Sequence, residues 1–348
     1  MSDPTPEIDR LDTRYRVRFA GHPRVTRDPD ELQSMVEALA ALGVTEEAHR
    51  ARVATLSDQW TRELEQIRAA QAVPYAVPAA RLRTWSDLSV SRYARSFGGR
   101  DRRTRDVALL QEIVDDLRGI RNSMASLAQS APDQGLGRSV QQIDQQLLTY
   151  LSELEAIRNA RKMGTPAEQG TRFAQLANDQ FAEYERHFAG HPRLSRHPAT
   201  LSRILASLDE LRRGMQGLAL QGFDDPSNTR NIGIVTQRLA SFRAELDAIG
   251  KARAEATLET RVTGLGAAAN EVFAKYREAF AGKDRRSVDP ERLVELFELL
   301  WPIAREMDEI DAEHDDDANH ANLRLVLDNA VLYAREFDAI QKVKASPA

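Results

Sequence analysis

With 348 residues, 42% apolar and 29% charged, the chain has the composition of a folded protein and not of a disordered one. A net charge of −5 argues against non-specific nucleic-acid binding. The absence of cysteine removes disulfides, thiolate nucleophiles and cysteine-ligated metals. No apolar run approaches the ~18 residues that span a bilayer, and the segment from Met1 to Glu7 lacks the basic start and apolar core of a secretory signal, so a cytoplasmic protein without a membrane span is expected. Only six of the 48 basic residues are lysine, and Ala, Leu, Arg, Glu and Gln dominate, which favours helix and suggests a GC-rich bacterial genome.

In chain order, the first predicted helix ends at Tyr15 and Phe19, whose four-residue spacing puts both rings on one face, with Gly21 placed to stop it. A second helix starts at Asp28-Pro29-Asp30-Glu31, a capping aspartate followed by proline, and carries the stripe Leu32, Met35, Val36, Leu39, Leu42. A third carries the heptad Val53, Trp60, Ile67, with Leu64 completing the seam. Val73-Pro74-Tyr75-Ala76-Val77-Pro78 then breaks the path.

The same pattern returns three times. Tyr93/Phe97, Tyr184/Phe188 and Tyr276/Phe280 end first helices ahead of Gly99, Gly190 and Gly282. Second-helix stripes run Leu110, Ile113, Val114, Leu117, Ile120, then Leu201, Ile204, Leu205, Leu208, Leu211, then Leu293, Leu296, Phe297, Leu300, Ile303. Third-helix heptads are Ile143, Tyr150, Ile157, then Val235, Phe242, Ile249, then Val326, Tyr333, Ile340. Ile67 to Tyr93, Ile157 to Tyr184 and Ile249 to Tyr276 are 26, 27 and 27 residues apart, a register that chance does not keep. Thr165 and Glu168 form a capping box after Gly164, whereas Ala252 to Tyr276 holds no proline and allows one continuous helix. Pro302, inside the last second helix, is expected to kink or interrupt it.

These elements imply an all-α fold of four tandem three-helix repeats, about twelve helices, with repeats at 1–72, 73–163, 164–256 and 257–348 and a short first repeat acting as a cap. The expected arrangement is an elongated helical-repeat array, similar in architecture to spectrin-type repeats though with shorter units.

The recurring chemistry lies between first and second helices. Each loop holds a basic residue (His22, Arg100, His191, Lys283), then an arginine (Arg24, Arg102, Arg193, Arg285), then a hydroxyl (Thr26, Thr104, Ser195, Ser287). Cations and a hydroxyl near a helix start make an anion site. The plainer reading pairs each arginine with the recurring glutamate of the third helix, Glu63, Glu153, Glu245 or Glu336, as a buried ion pair whose loss costs ~3–5 kcal/mol.

His187 and His191 have zinc-like spacing, but Gly190 falls between them and no carboxylate completes the motif. Asp315-Asp316-Asp317, with His314 and His320, lacks the glycine and terminal glutamate of a calcium loop. No catalytic constellation, metal site or cofactor motif is found. Residues 81–105 hold eight Arg and two Asp, and 289–317 hold twelve acids and two Arg, opposite blocks that allow self-association. The expected function is a non-enzymatic scaffold or adaptor binding protein partners. A phospho-ligand module using the four loops and a self-assembling structural protein are the alternatives.

Overall fold

A computed structural model describes residues 4–19, 23–44, 46–223, 225–314 and 316–345. Gly21, His22 and Asp315, singled out from the sequence, lie outside the described residues. Among the described residues there are twelve α-helices and no strand. They are α1 (Thr5–Arg18), α2 (Pro29–Ala40), α3 (Glu47–Gln71), α4 (Ala76–Phe97), α5 (Val107–Ser130) and α6 (Leu136–Arg161), then α7 (Pro166–Phe188), α8 (Pro198–Leu220), α9 (Pro226–Glu255), α10 (Leu258–Phe280), α11 (Glu291–Glu313) and α12 (Asp317–Ala345). None is long and apolar enough to cross a membrane.

The local signals act where the sequence places them. Gly99, Gly190 and Gly282 have φ of 70°, 76° and 72°, the left-handed conformation that ends α4, α7 and α10 at low steric cost. Asp28 caps α2 by accepting from the Asp30 and Glu31 backbone N–H groups, with Pro29 at the first helical position. The Thr165/Glu168 capping box opens α7. At two further places the structure narrows what the sequence allowed. The path from α9 to α10 is not continuous, because Ala256 and Thr257 are extended and the Thr257 side chain caps α10 by accepting from Thr260 N–H. Pro302 does not interrupt α11, which runs through it from Glu291 to Glu313. The missing N–H removes only the bond to the Glu298 carbonyl one turn back.

The chain divides into two compact units, residues 1–87 with 117–145, and residues 88–116 with 146–348, so that α4, α5 and α6 each contribute to both. In the first unit Leu11, Phe19, Leu32, Met35, Leu39, Trp60, Leu64 and Ile67 form one apolar cluster. In the second, Phe173, Leu176, Phe188, Ile204, Leu208, Phe242 and Ile249 belong to another. Aromatic stacking recurs at the same sequence positions. Tyr15 lies on Trp60 (5.2 Å between centroids), Tyr93 on Tyr150 (4.0 Å), Tyr184 on Phe242 (3.8 Å) and Tyr276 on Tyr333 (4.5 Å). Each tyrosine also meets the phenylalanine four residues on, as the shared helix face requires.

Phe242 is fully buried in its stack, whereas Leu148 of α6 is 70% exposed. Truncating Phe242 to Ala is expected to lower unfolding stability by ~3–5 kcal/mol, and Leu148→Ala to change it by less than ~0.5 kcal/mol, as read by chemical denaturation.

Candidate functional site

Each loop arginine donates to the glutamate expected from the sequence. Arg24 bonds Glu63 (Nε–Oε1 3.0 Å), Arg102 bonds Glu153 (3.0 Å), Arg193 bonds Glu245 (3.3 Å) and Arg285 bonds Glu336 (2.8 Å). The carboxylates are largely buried, but these guanidiniums are about half exposed. A second arginine, three residues on, is the better-buried partner. Arg27, Arg105 and Arg196 each donate to the same carboxylate, and Arg105 and Arg196 also bond the Arg100 and His191 carbonyls. The fourth copy has Val288 there and keeps a single guanidinium. The sequence reading missed these residues, although Arg-x-(Ser/Thr)-Arg stands in three of the four loops. The hydroxyls are also committed, since Thr26, Thr104, Ser195 and Ser287 each donate to the carbonyl three residues back. Among the remaining loop cations, Arg100 pairs with Glu291 at 2.7 Å and Lys283 is exposed.

The end of each of the first three long third helices braces the same loop. Gln71 donates to the Val25 and Arg27 carbonyls, Arg161 to that of Arg105 and Arg253 to that of Arg196. Arg161 and Arg253 then reach forward to Glu210 of α8 and Glu306 of α11.

The second unit contains a buried ionic hub. Arg92 of α4, 2% exposed, donates to Glu112 of α5 (2.8 Å) and to Glu298 of α11 (2.8 Å), while Arg203 of α8 meets Glu112 at 2.7 Å and also bonds Glu183 of α7. Burial by itself would lower both arginines, but Glu112 and Glu298 hold Arg92 above its ordinary value, and Glu183 and Glu112 do so for Arg203. Burial pushes the Asp116 carboxyl up to about 6 against the pull of Arg305 and Arg92. Arg95, 6% exposed, has no hydrogen-bond partner for Nη1 or Nη2 and lies over the Phe297 ring at 4.5 Å, and burial lowers it to about 10. The hub joins α4 directly to α11, helices from sequence copies two apart. In a strictly one-dimensional array each copy touches only its neighbours, and here the second and fourth sequence copies touch as well. The opposite charge blocks meet here as well, through Arg92–Glu298 and Arg100–Glu291.

Beside the hub lies a cavity of about 40 Å3 lined by His187, His191, Ser195, His197, Lys275 and Pro302, among others. It shares Ser195, Ala268 and Glu271 with an open groove of about 520 Å3 between the 192–195 loop and α10. Burial, reinforced by Arg203 at His187 and by Arg253 at His197, pushes both imidazoles down to about 3, so both are neutral near pH 7. The histidines line one cavity, yet no group of three His, Asp or Glu among the described residues is placed to hold a metal ion. In the other acidic–histidine cluster Asp316 accepts from Asn319 N–H and His320 meets Asp311 at 3.0 Å.

The chain matches no family model, no curated protein and no solved structure.

Two measurements follow. Arg285→Ala should lower the melting temperature more than Arg102→Ala or Arg193→Ala, because Arg105 and Arg196 keep their carboxylates paired and Glu336 has no second arginine. Glu153→Ala, which strands Arg102 and Arg105 together, should cost ~2–4 kcal/mol. For His197 the folded pKa of about 3 lies below the unfolded value of about 6.5, so its contribution is complete above pH 6.5 and is lost as pH falls towards 3. His197→Asn removes this titration and so gains on the wild type as the pH falls below about 6.5. Its advantage in denaturation experiments should grow by up to about 1.4 kcal/mol per pH unit below pH 6.

Proposed function

We propose that the chain is a non-enzymatic helical-repeat scaffold or adaptor, built from four copies of one three-helix unit at residues 1–72, 73–163, 164–256 and 257–348, that binds other proteins in the cytoplasm. The observation that carries this reading is how the recurring loop chemistry is spent. Arg24, Arg102, Arg193 and Arg285 all bond a glutamate of their own copy, and the four hydroxyls all donate to backbone carbonyls. A residue set that closes on itself in every copy serves the architecture, and recognition falls to the faces and junctions that differ between copies. The same bookkeeping weakens the phospho-ligand alternative. The alternative of self-assembly through charge blocks loses force too, since those blocks pair within one chain.

The test is thermal unfolding of the wild type, Arg102→Ala and Arg285→Ala with and without about 10 mM phosphate. The reading expects both variants to melt lower and phosphate to leave all three proteins unchanged. A phosphate stabilisation of the wild type that disappears in either variant would make the loops ligand sites and overturn it.

A further inference from the structure

Three departures from the repeated pattern converge on the small cavity. The residue four before the first buried leucine of each second helix is Asp28, Asp106, His197 and Asp289. The three aspartates accept backbone N–H groups at the start of their helices, whereas His197 makes no side-chain cap. Its Nδ1 is shielded from solvent without a hydrogen-bond partner. The residue before each recurring tyrosine is Arg14, Arg92, Glu183 and Lys275. The first three are ion-paired, to Glu31, to Glu112 and Glu298, and to Arg203, while among the described residues Lys275 has no ion pair. Pro302 is the third departure, an interior helix proline on the same cavity wall. A sequence breaks its own local rules at sites under another constraint.

Lys275, without an ion pair among the described residues, and His197, with its unpartnered Nδ1, both line this cavity and can offer donors to an oxyanion. Phe188, Val272, Leu299 and Ile303 give part of the wall an apolar surface, which suits the carbon next to a carboxylate better than a fully polar phosphate, while His187, Thr200 and Glu271 make the rest polar. The cavity holds only the head of a ligand, so the rest must lie in the adjoining groove. That groove follows α10 from Glu259 to Glu271, twelve residues or about 18 Å at 1.5 Å each, which matches about five residues of extended chain. Glu259 and Glu271 line it and favour basic side chains, which a peptide can offer and an aliphatic acid cannot.

We propose that this cavity and groove bind the C-terminal tail of a partner protein, with the terminal carboxylate received by Lys275 and His197 and basic side chains of the tail beside Glu259 and Glu271. The inference rests on the reading of the chain as a protein-binding array. That reading survives a failed peptide test, since it stands on the internal bonding of the loop arginines and hydroxyls and has its own phosphate test.

The test uses the full chain and a fluorescein-labelled hexapeptide, Gly-Lys-Ala-Lys-Ala-Val, with a free C-terminal acid or a C-terminal amide, read by anisotropy. Acetate at about 50 mM serves as the bare head, read by the His197 ring signals in NMR spectra. The free acid should bind at least about tenfold more tightly than the amide. Lys275→Gln should erase that preference and Lys275→Arg restore it, both with wild-type melting temperatures. Equal binding of acid and amide would overturn the carboxylate site. So would an absence of peptide binding together with unmoved His197 signals in acetate. Acetate shifts without peptide binding would overturn the peptide as the source. Loss of the acid preference in Lys275→Arg as well as Lys275→Gln would remove the charge from the explanation and overturn the assignment of Lys275.

Discussion

One carboxylate per third helix holds the loop between the first two helices. Glu63, Glu153 and Glu245 each collect two guanidiniums, and Glu336 collects one. A carboxylate has lone pairs enough for two arginines, and burying it is tolerable only if they are used. Once the glutamate is gripped, the turn that follows each first helix is set and the cap of the second helix is placed. The tyrosine that ends the first helix then stacks on the aromatic of the third. The apolar cores supply the driving force, and the ion pair specifies which loop geometry accompanies them.

Repetition of that grip is what supports the proposed structural reading of the loops despite their composition. Cations and hydroxyls near a helix start suit an anion only while their hydrogen atoms are free, and here the four hydroxyls and one edge of each loop arginine are already bonded inside the chain. Function is therefore sought where copies diverge. At the sister junction Asp106 accepts from Gln180 and Ser207, so that a carboxylate of the chain itself occupies the space. At the corresponding positions of the next junction stand His197, Val272 and Leu299, and these leave a cavity.

The buried hub works differently from the loops. Arg92 and Glu183 occupy the same place in the repeat, as do Glu112 and Arg203, so the charges are exchanged between copies. The exchange lets Glu112 bridge both arginines, Arg92 at 2.8 Å and Arg203 at 2.7 Å. Glu298 brings α11 to the same point and gives Arg92 a second carboxylate. Removing one member would leave an uncompensated charge in a low-dielectric site, the most costly kind of lesion for a buried pair.

The sequence alone determined the helical class, the core stripes, the aromatic core positions and the glycine stops, because these follow from periodicity and local backbone preference, and it offered a partner for each loop arginine because both residues recur in every copy. Arg27, Arg105 and Arg196 were legible in the same alignment of copies, as a second arginine three residues on. The break at Thr257 was not, since a threonine caps a helix or rides within one according to what packs around it. Nor were the union of α4 with α11, the pairing of the charge blocks or the meeting of His197, Lys275 and Pro302 around one cavity. These join residues tens to hundreds of positions apart, and only the tertiary fold decides which distant charges share a low-dielectric space and which are left without a partner.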